Sequence, residues 1–205
     1  MYIPSNMKMD DLSTAHDFIN EFGFGVIVSD SLTGTHLPFV LHRDEGDNGV
    51  LYSHCAKANP HWKELDNKEV LIIFSGPHSY ISPSWYAQSP AVPTWNYAAV
   101  HAYGVVSLLD GKQTLEAVEQ VVGQYEPGLL LEKNIITDEF RDKMLPGIVG
   151  LKVELSHIEG KLKLGQLRKK EDQVGVYNAL TQSSNLEDQA LAHYMKKINL
   201  GTGAT

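Results

Sequence analysis

Apolar positions first recur at helical spacing in MDDLSTAHDFINEFG, where Leu12, Ala15, Phe18, Ile19 and Phe22 share one face. Asp10 can cap the start and Gly23 can end it, so this stretch predicts a short amphipathic helix. The β-rich runs FGVIVS (24–29), THLPFVLH (35–42) and GVLYSHC (49–55) follow, separated by the turn-type segments DSLTG and RDEGDNG. They predict three strands in an antiparallel meander. In NPHWKELDN (59–67), Asn59 can act as N-cap and Pro60 takes the first helical position, which predicts one or two helical turns. The nearly all-apolar run EVLIIFSGP (69–77) predicts a central strand, and a long strand is expected from about Thr94 to Leu109.

After Asp110 the period changes. TLEAVEQVVGQY places Leu115, Val118, Val121 and Val122 on one helical face, and TDEFRDKML predicts a second short helix capped by Thr137. Alternation returns in VELSHIEGKLKL, which predicts a hairpin-like pair turning near Glu159 and Gly160. The tail EDQVGVYNALTQSSNLEDQALAHYMKKIN predicts two helices, the second capped by Ser184 or Asn185 and ending at Lys196 and Lys197. Six or more antiparallel strands with helices inserted between them predict a mainly β protein, a small barrel, with an open α+β sandwich as the other arrangement. No linker rich in Pro, Gly or Ser divides the chain, so one domain over 1–205 is expected, with 167–200 as a helical C-terminal extension.

Composition narrows the function classes. With 205 residues, 42% of them apolar, the chain can build a full hydrophobic core. A net charge of -8 supplies no global positive field for a polyanion, so nucleic-acid binding would need a local basic patch. Cys55 is the only cysteine, which excludes an internal disulfide and any multi-thiolate metal site and fits a reducing cytoplasm. It reads as a small buried filler, since nothing adjacent would activate it as a nucleophile. The start MYIPSNMKMD lacks the pattern of a signal peptide, and no stretch approaches the ~20 apolar residues of a membrane span.

Residues 77–104 hold two of the three tryptophans, four of the nine tyrosines and four of the nine prolines. Proline at this density stiffens the backbone and prevents a regular helix, while Trp85, Tyr86, Trp95 and Tyr97 offer flat faces with polar edges. The segment looks built to hold a planar molecule.

The landmarks MYIP, MDDL (9–12), THLPF (35–39), AKANPHW (56–62), GPHSYISPSWY (76–86) and VPTWNYAAVHAYG (92–104) occur in order and together resemble the PaiB family. That family is grouped with the FMN-binding split barrels, relatives of pyridoxamine phosphate oxidase and flavin reductases, and many members are described as negative transcriptional regulators. Further on, GKLKLGQLRKKEDQVGV resembles the family's KLSQN-type block, with Gly165 and Leu167 where Ser and Asn are expected and Gln166 as the matching residue. The resemblance implies a homodimeric split β-barrel of the pyridoxamine phosphate oxidase type with an FMN pocket at each subunit boundary.

Such a pocket needs a phosphate site, a wall for the ring and polar groups at its edge. Two strands can deliver Thr35, His36 and Pro38 from one and Tyr52, Ser53 and His54 from the other, with Lys57 and Asn59 following before a short helix. In split barrels resembling this one, hydroxyl and basic residues on comparable strands hold the phosphate, which points first to Ser53, His54, Lys57 and Asn59. Taken singly, each of these polar residues is better explained as an ordinary surface residue; only their clustering tilts the balance towards a site. Trp85, Trp95 and Tyr97 are the candidate ring wall and Asn96 the donor and acceptor for the ring edge, with Gln166 added by the resemblance. The same aromatics would equally serve a dimer core. No catalytic acid or base stands out.

Two other classes remain open on the sequence. His36, His54, His61, His78 and His101 fall in the β-rich part without any metal-type spacing, so no metal is expected, while haem on one axial histidine is the alternative cofactor. Lys161, Lys163, Arg168, Lys169 and Lys170 are the one concentration of cations and could touch a phosphate backbone; the acidic overall charge favours a solvated hairpin running into a helix.

Overall fold

The computed structural model describes residues 1–9, 11–132 and 134–204. Its strands are β1 (Phe24–Val28), β2 (Gly34–Pro38), β3 (Val40–His42), β4 (Val50–Ala56), β5 (Glu69–Ile81), β6 (Thr94–Leu108) and β7 (Ile148–Lys163). Its helices are α1 (Leu12–Glu21), α2 (Trp62–Leu65), α3 (Gly111–Tyr125), α4 (Asp138–Met144), α5 (Lys170–Gln182) and α6 (Leu186–Lys197). The architecture is mainly β with inserted helices, as the changes of period predict. The strands are ordered β2-β1-β5-β6-β7-β4-β3, with β1–β2, β1–β5, β3–β4 and β4–β7 paired antiparallel. The chain divides into two compact units. One comprises Met1, Asp10–Phe74 and Val100–Glu159, and the other Tyr2–Met9, Ser75–Ala99 and Gly160–Thr205.

In the first unit the expected strand over 35–42 is in fact two strands, and they stand at opposite ends of the strand order. The break has a chemical cause. Pro38 has no N–H to give to a ladder, and the next residue, Phe39, turns inward with only 1% of its surface exposed. The Phe39 ring meets Phe74 edge-on at 5.6 Å, and its N–H donates to Gly23 O at 2.8 Å. The Ser53 hydroxyl on β4 donates to Pro38 O at 2.6 Å. One residue therefore carries the chain from one end of the sheet to the other, and the strands of this unit close around Phe39, Phe74, Leu51, Ile72 and Leu151. The arrangement replaces the expected meander.

Helix α1 is capped by Asp11, whose carboxylate accepts from Thr14 N at 2.7 Å; Asp10, the expected cap, lies outside the described residues. Phe18 and Ile19 bury its inner face. Helix α3 begins one turn earlier than its apolar period suggests, because Asp110 and Gln113 form a reciprocal capping box. Its most buried residues are Thr114 and Ala117, while Leu115, Val118, Val121 and Val122 are only partly covered. Close packing explains the difference: a Cβ on Gly150 of β7 would lie 2.5 Å from Thr114 Oγ1, so only small groups fit between this helix and the sheet. Helix α4 starts at its expected cap, Thr137, which accepts from Phe140 N at 3.1 Å.

The expected hairpin at Glu159 and Gly160 does not form, since β7 runs straight through both. Gly160 serves close approach instead of a turn. In the second unit the Met9 N–H donates to Gly160 O at 3.0 Å, and a Cβ there would meet Met9 Sδ at 2.3 Å. The helical part of this unit follows expectation more nearly, with Asn185 capping α6 through Glu187 N and Lys196 and Lys197 in its last turn. Among the described residues no helix is long and apolar enough to cross a membrane.

Replacing Gly160 by Ala is expected to cost about 1–3 kcal/mol, the usual penalty of overpacking a tight contact. Gly147→Ala, where a Cβ meets nothing within 4 Å, is expected to stay near the parent. Denaturant titration of the two variants side by side checks this.

Candidate functional site

The phosphate candidates all belong to the first unit, and the structure sorts them into separate groups. Thr35 and Asn59 converge, together with His61. Asn59 Nδ2 donates to Thr35 Oγ1 at 3.1 Å, Thr35 Oγ1 lies 2.8 Å from His61 Nδ1, and Asn59 Oδ1 accepts from His61 N at 3.0 Å. The Thr35 hydroxyl, having accepted from Asn59, has both a proton to give to Nδ1 and a second lone pair to receive one from it, so the His61 tautomer decides the direction of that bond. His61 is 2% exposed and burial depresses its pKa, with Glu64 pulling the other way, so the ring is neutral and able to accept. Its Nε2 has no hydrogen-bond partner.

Sequence reasoning missed His61 as part of this group. The signal was available in Asn59-Pro60-His61, because an Asn side chain commonly accepts from the backbone two residues on. That turn delays the helix, and α2 amounts to one turn beginning at Trp62. Lys57 stands beside the group in sequence. Its backbone is pinned by Gly147 O and by Trp62 Nε1, while its side chain is exposed and forms no ion pair among the described residues.

The other candidates of this unit are engaged elsewhere. Ser53 is fully buried and its hydroxyl is taken by Pro38, so those two residues serve the closure of the sheet. Tyr52 donates to Glu45 at 2.9 Å, and Glu45 also accepts from Lys152 at 2.5 Å. Lys152 holds the Glu45 carboxyl below its ordinary pKa; burial, and then Glu45, raises that of Tyr52. His36 is exposed and stacks on Phe24 with centroids 6.1 Å apart. His54 stands partly buried with its Nδ1 unpaired, and burial lowers its pKa. Cys55 is buried and its thiol pKa is pushed up by that burial, as a filler should be.

The ring-wall candidates belong to the second unit. Trp85 and Trp95 line a cavity of about 400 Å³ together with His78, Tyr80, Glu187 and Asp188. His78 and Tyr80 lie 5.9 and 6.3 Å from the Trp95 ring, and Ser79 ties the opposite wall by donating to Asp188. The two carboxylates make this space suited to a neutral ring and hostile to a phosphate. Tyr97 stands apart, its ring 5.2 Å from the ammonium of Lys161. Asn96 faces the other side of β6 from Trp95, as the two-residue period of a strand requires, and joins a second cavity described below. Wall and edge donor therefore do not converge within one chain. Gln166 is used on backbone: its Oε1 accepts from Leu164 N at 2.9 Å and its Nε2 donates to Leu162 O at 2.7 Å.

The basic run is only partly engaged by the fold, since Arg168, Lys169 and Lys170 are exposed. Lys161 is 7% exposed and donates to Tyr2 O, Lys163 donates to Thr94 Oγ1 and Trp95 O, and Lys169 donates to Gln88. Among the described residues no three of His, Cys, Asp and Glu gather as a metal site would need.

The mainly β architecture is that of a split β-barrel, and known proteins agree. Residues 1–157 match the family described as "Putative FMN-binding domain". The chain belongs to this family and, with it, to the PaiB group: it is 33% identical over 204 residues to the protease synthase and sporulation protein PAI 2 of Bacillus subtilis, covering 96% of this chain and 97% of that one. An uncharacterised protein of Emericella nidulans is 27% identical, over 81% of this chain and 82% of its own length. Among solved structures, the flavocytochrome Anf3 of Azotobacter vinelandii superposes with a TM-score of 0.63 at 17% identity, over 83% of this chain and 77% of that one. An FAD and haem binding protein of Mycobacterium smegmatis gives 0.59 at 13% identity, over 78% and 74%. Both likenesses are of fold.

Burial lowers the pKa of His54, His61 and His101 below the ordinary 6.5. Just below that value the unfolded chain therefore binds more protons than the folded one. Stability is then fully present above it, and falls as pH drops below 6.5 towards the depressed folded-state values. His61→Gln should reduce the proton uptake on unfolding by up to about one. Denaturation midpoints measured across this range read both effects.

Proposed function

We propose that this protein binds FMN as a homodimer in the cytoplasm and works as a slow flavin oxidoreductase through which a regulatory role is exercised. The observation that carries the proposal is the match of residues 1–157 to an FMN-binding domain family. The side chains of the first unit fit a phosphate. Lys57 brings an unpaired cation, and Asn59 Nδ2, having given one proton to Thr35, keeps a second to donate. His61 acts beneath them as a positioning residue, since its neutral Nδ1 fixes the Thr35 hydroxyl and so the Asn59 amide. Trp85 and Trp95 offer the flat apolar surface that the ring requires, with a second copy of the chain completing the pocket.

When bound, the flavin supplies the electron and hydride chemistry. The chain's part is to grip the phosphate, orient the ring against indole and keep water away. Direct reading of DNA finds less support, because Lys161, Lys163 and Lys169 already have protein partners, which leaves Arg168 and Lys170 as the exposed cations of the run without a hydrogen-bonded side chain among the described residues. The regulatory element of the proposal leans on the sporulation relative.

Purified protein should show the visible absorption of flavin or acquire it when FMN is added at micromolar concentration. Lys57→Ala should weaken that binding about ten- to a hundredfold, the worth of one hydrogen bond to a charged group. A haem Soret band in place of flavin absorption, or no binding of FMN at all, would overturn the proposal.

A further inference from the structure

The second unit contains a cavity that the flavin proposal does not use. It measures about 390 Å³ and is lined by Met7, Tyr86, Asn96, Lys163, Leu167 and Arg168, with Thr94, Gly165 and Gln166 completing the wall. We propose that it binds a small organic acid, its carboxylate between Lys163 and Arg168 and its apolar body against Met7 and Leu167.

Charge gives the first argument. In a chain of net charge -8, two cations line one cavity, and neither forms an ion pair among the described residues. Among the described residues no Asp or Glu lines the space. Asp172 borders a neighbouring void of about 10 Å³, which Asn96 and Arg168 also line, and its carboxylate accepts from Ala87 N at 2.9 Å. Both cations are also held in place before any ligand arrives. Lys163 Nζ donates to Thr94 Oγ1 at 2.7 Å and to Trp95 O at 2.9 Å, which fixes it and leaves one of its three protons free. The Arg168 guanidinium lies over the Tyr86 ring, 4.5 Å from its centroid, a contact that restrains it. Preorganised donors are the ones that bind with least entropic cost.

The second argument is an unmet donor. Asn96 is 2% exposed, yet its Nδ2 has no hydrogen-bond partner. Both Asn96 and Gly165 border the cavity, and a Cβ on Gly165 would lie 3.5 Å from this Nδ2. The amide is itself closed off, so a small shift of the Gly165 wall is what would let a ligand oxygen recover the free energy that an unpaired buried donor costs. The apolar portion of the lining fixes the rest of the ligand's character: Met7 and Leu167 favour a hydrocarbon or aromatic body over a bare inorganic ion.

Calorimetric titration of the full-length protein with benzoate, acetate, benzamide and FMN tests the assignment. Benzoate should bind, acetate at least about tenfold more weakly for want of an apolar body, and neutral benzamide about ten- to a hundredfold more weakly for want of charge. Arg168→Gln should weaken benzoate to the same degree and leave FMN binding as in the parent, with thermal unfolding confirming that the variant is folded. Lys163→Gln provides a second variant on a different element. No benzoate binding at millimolar concentration, equal binding of benzamide, or benzoate binding unchanged in Arg168→Gln would each overturn the inference. Competition between benzoate and FMN, or loss of both in Arg168→Gln, would overturn it too, by returning the cavity to the flavin site. Benzoate binding without FMN binding would sink the flavin reading and leave this one standing.

Discussion

The first unit depends on a single inward-facing ring. Phe39 lies between a strand at one end of the sheet and a strand at the other, and its side chain fills the space that this crossing encloses. Burying such a ring is worth about 1.5–3 kcal/mol, but its geometric effect is the larger one. If residue 39 faced solvent, β2 and β3 would run on as one strand and the sheet would stay open. The Ser53 hydroxyl and the Gly23 carbonyl, which fasten the crossing on either side, are both backbone-to-backbone or backbone-to-side-chain bonds across it. Thr35 and Asn59 meet because β2 ends where it does.

How far the sequence disclosed this depended on the kind of signal. Helices α4 and α6 were legible from their caps, Thr137 and Asn185, and α1 from its period although its cap is Asp11, while α5 has no side-chain cap to read; the strands were legible as β-rich runs between turn residues. The crossing at Phe39 was hidden because an apolar residue after proline looks the same whether the strand continues or breaks. Gly160 was misleading for a related reason. Glycine marks turns and close approaches alike, and only the position of Met9 decides between them. One error was avoidable: Trp95 and Asn96 are adjacent in a strand and so must face opposite ways.

The site residues divide along the same line. Clustering in sequence drew attention to Ser53 and Tyr52, and the family resemblance to Gln166, but each proved to be committed to the fold, through Pro38, Glu45 and the backbone around Leu164. What distinguishes Lys57, Arg168 and Asn96 is the reverse property, polar atoms without a protein partner, and composition carries no trace of that. An Asn that is buried and unpaired reads the same, letter for letter, as one on the surface.

The lone thiol has one more implication. Cys55 lies inside β4 with its pKa raised, so it neither ionises readily nor meets a second copy's sulfur while the barrel is intact. Oxidants in the medium would find no cysteine switch on the folded polypeptide. The sulfur they would meet instead is the thioether of Met144, which is 54% exposed.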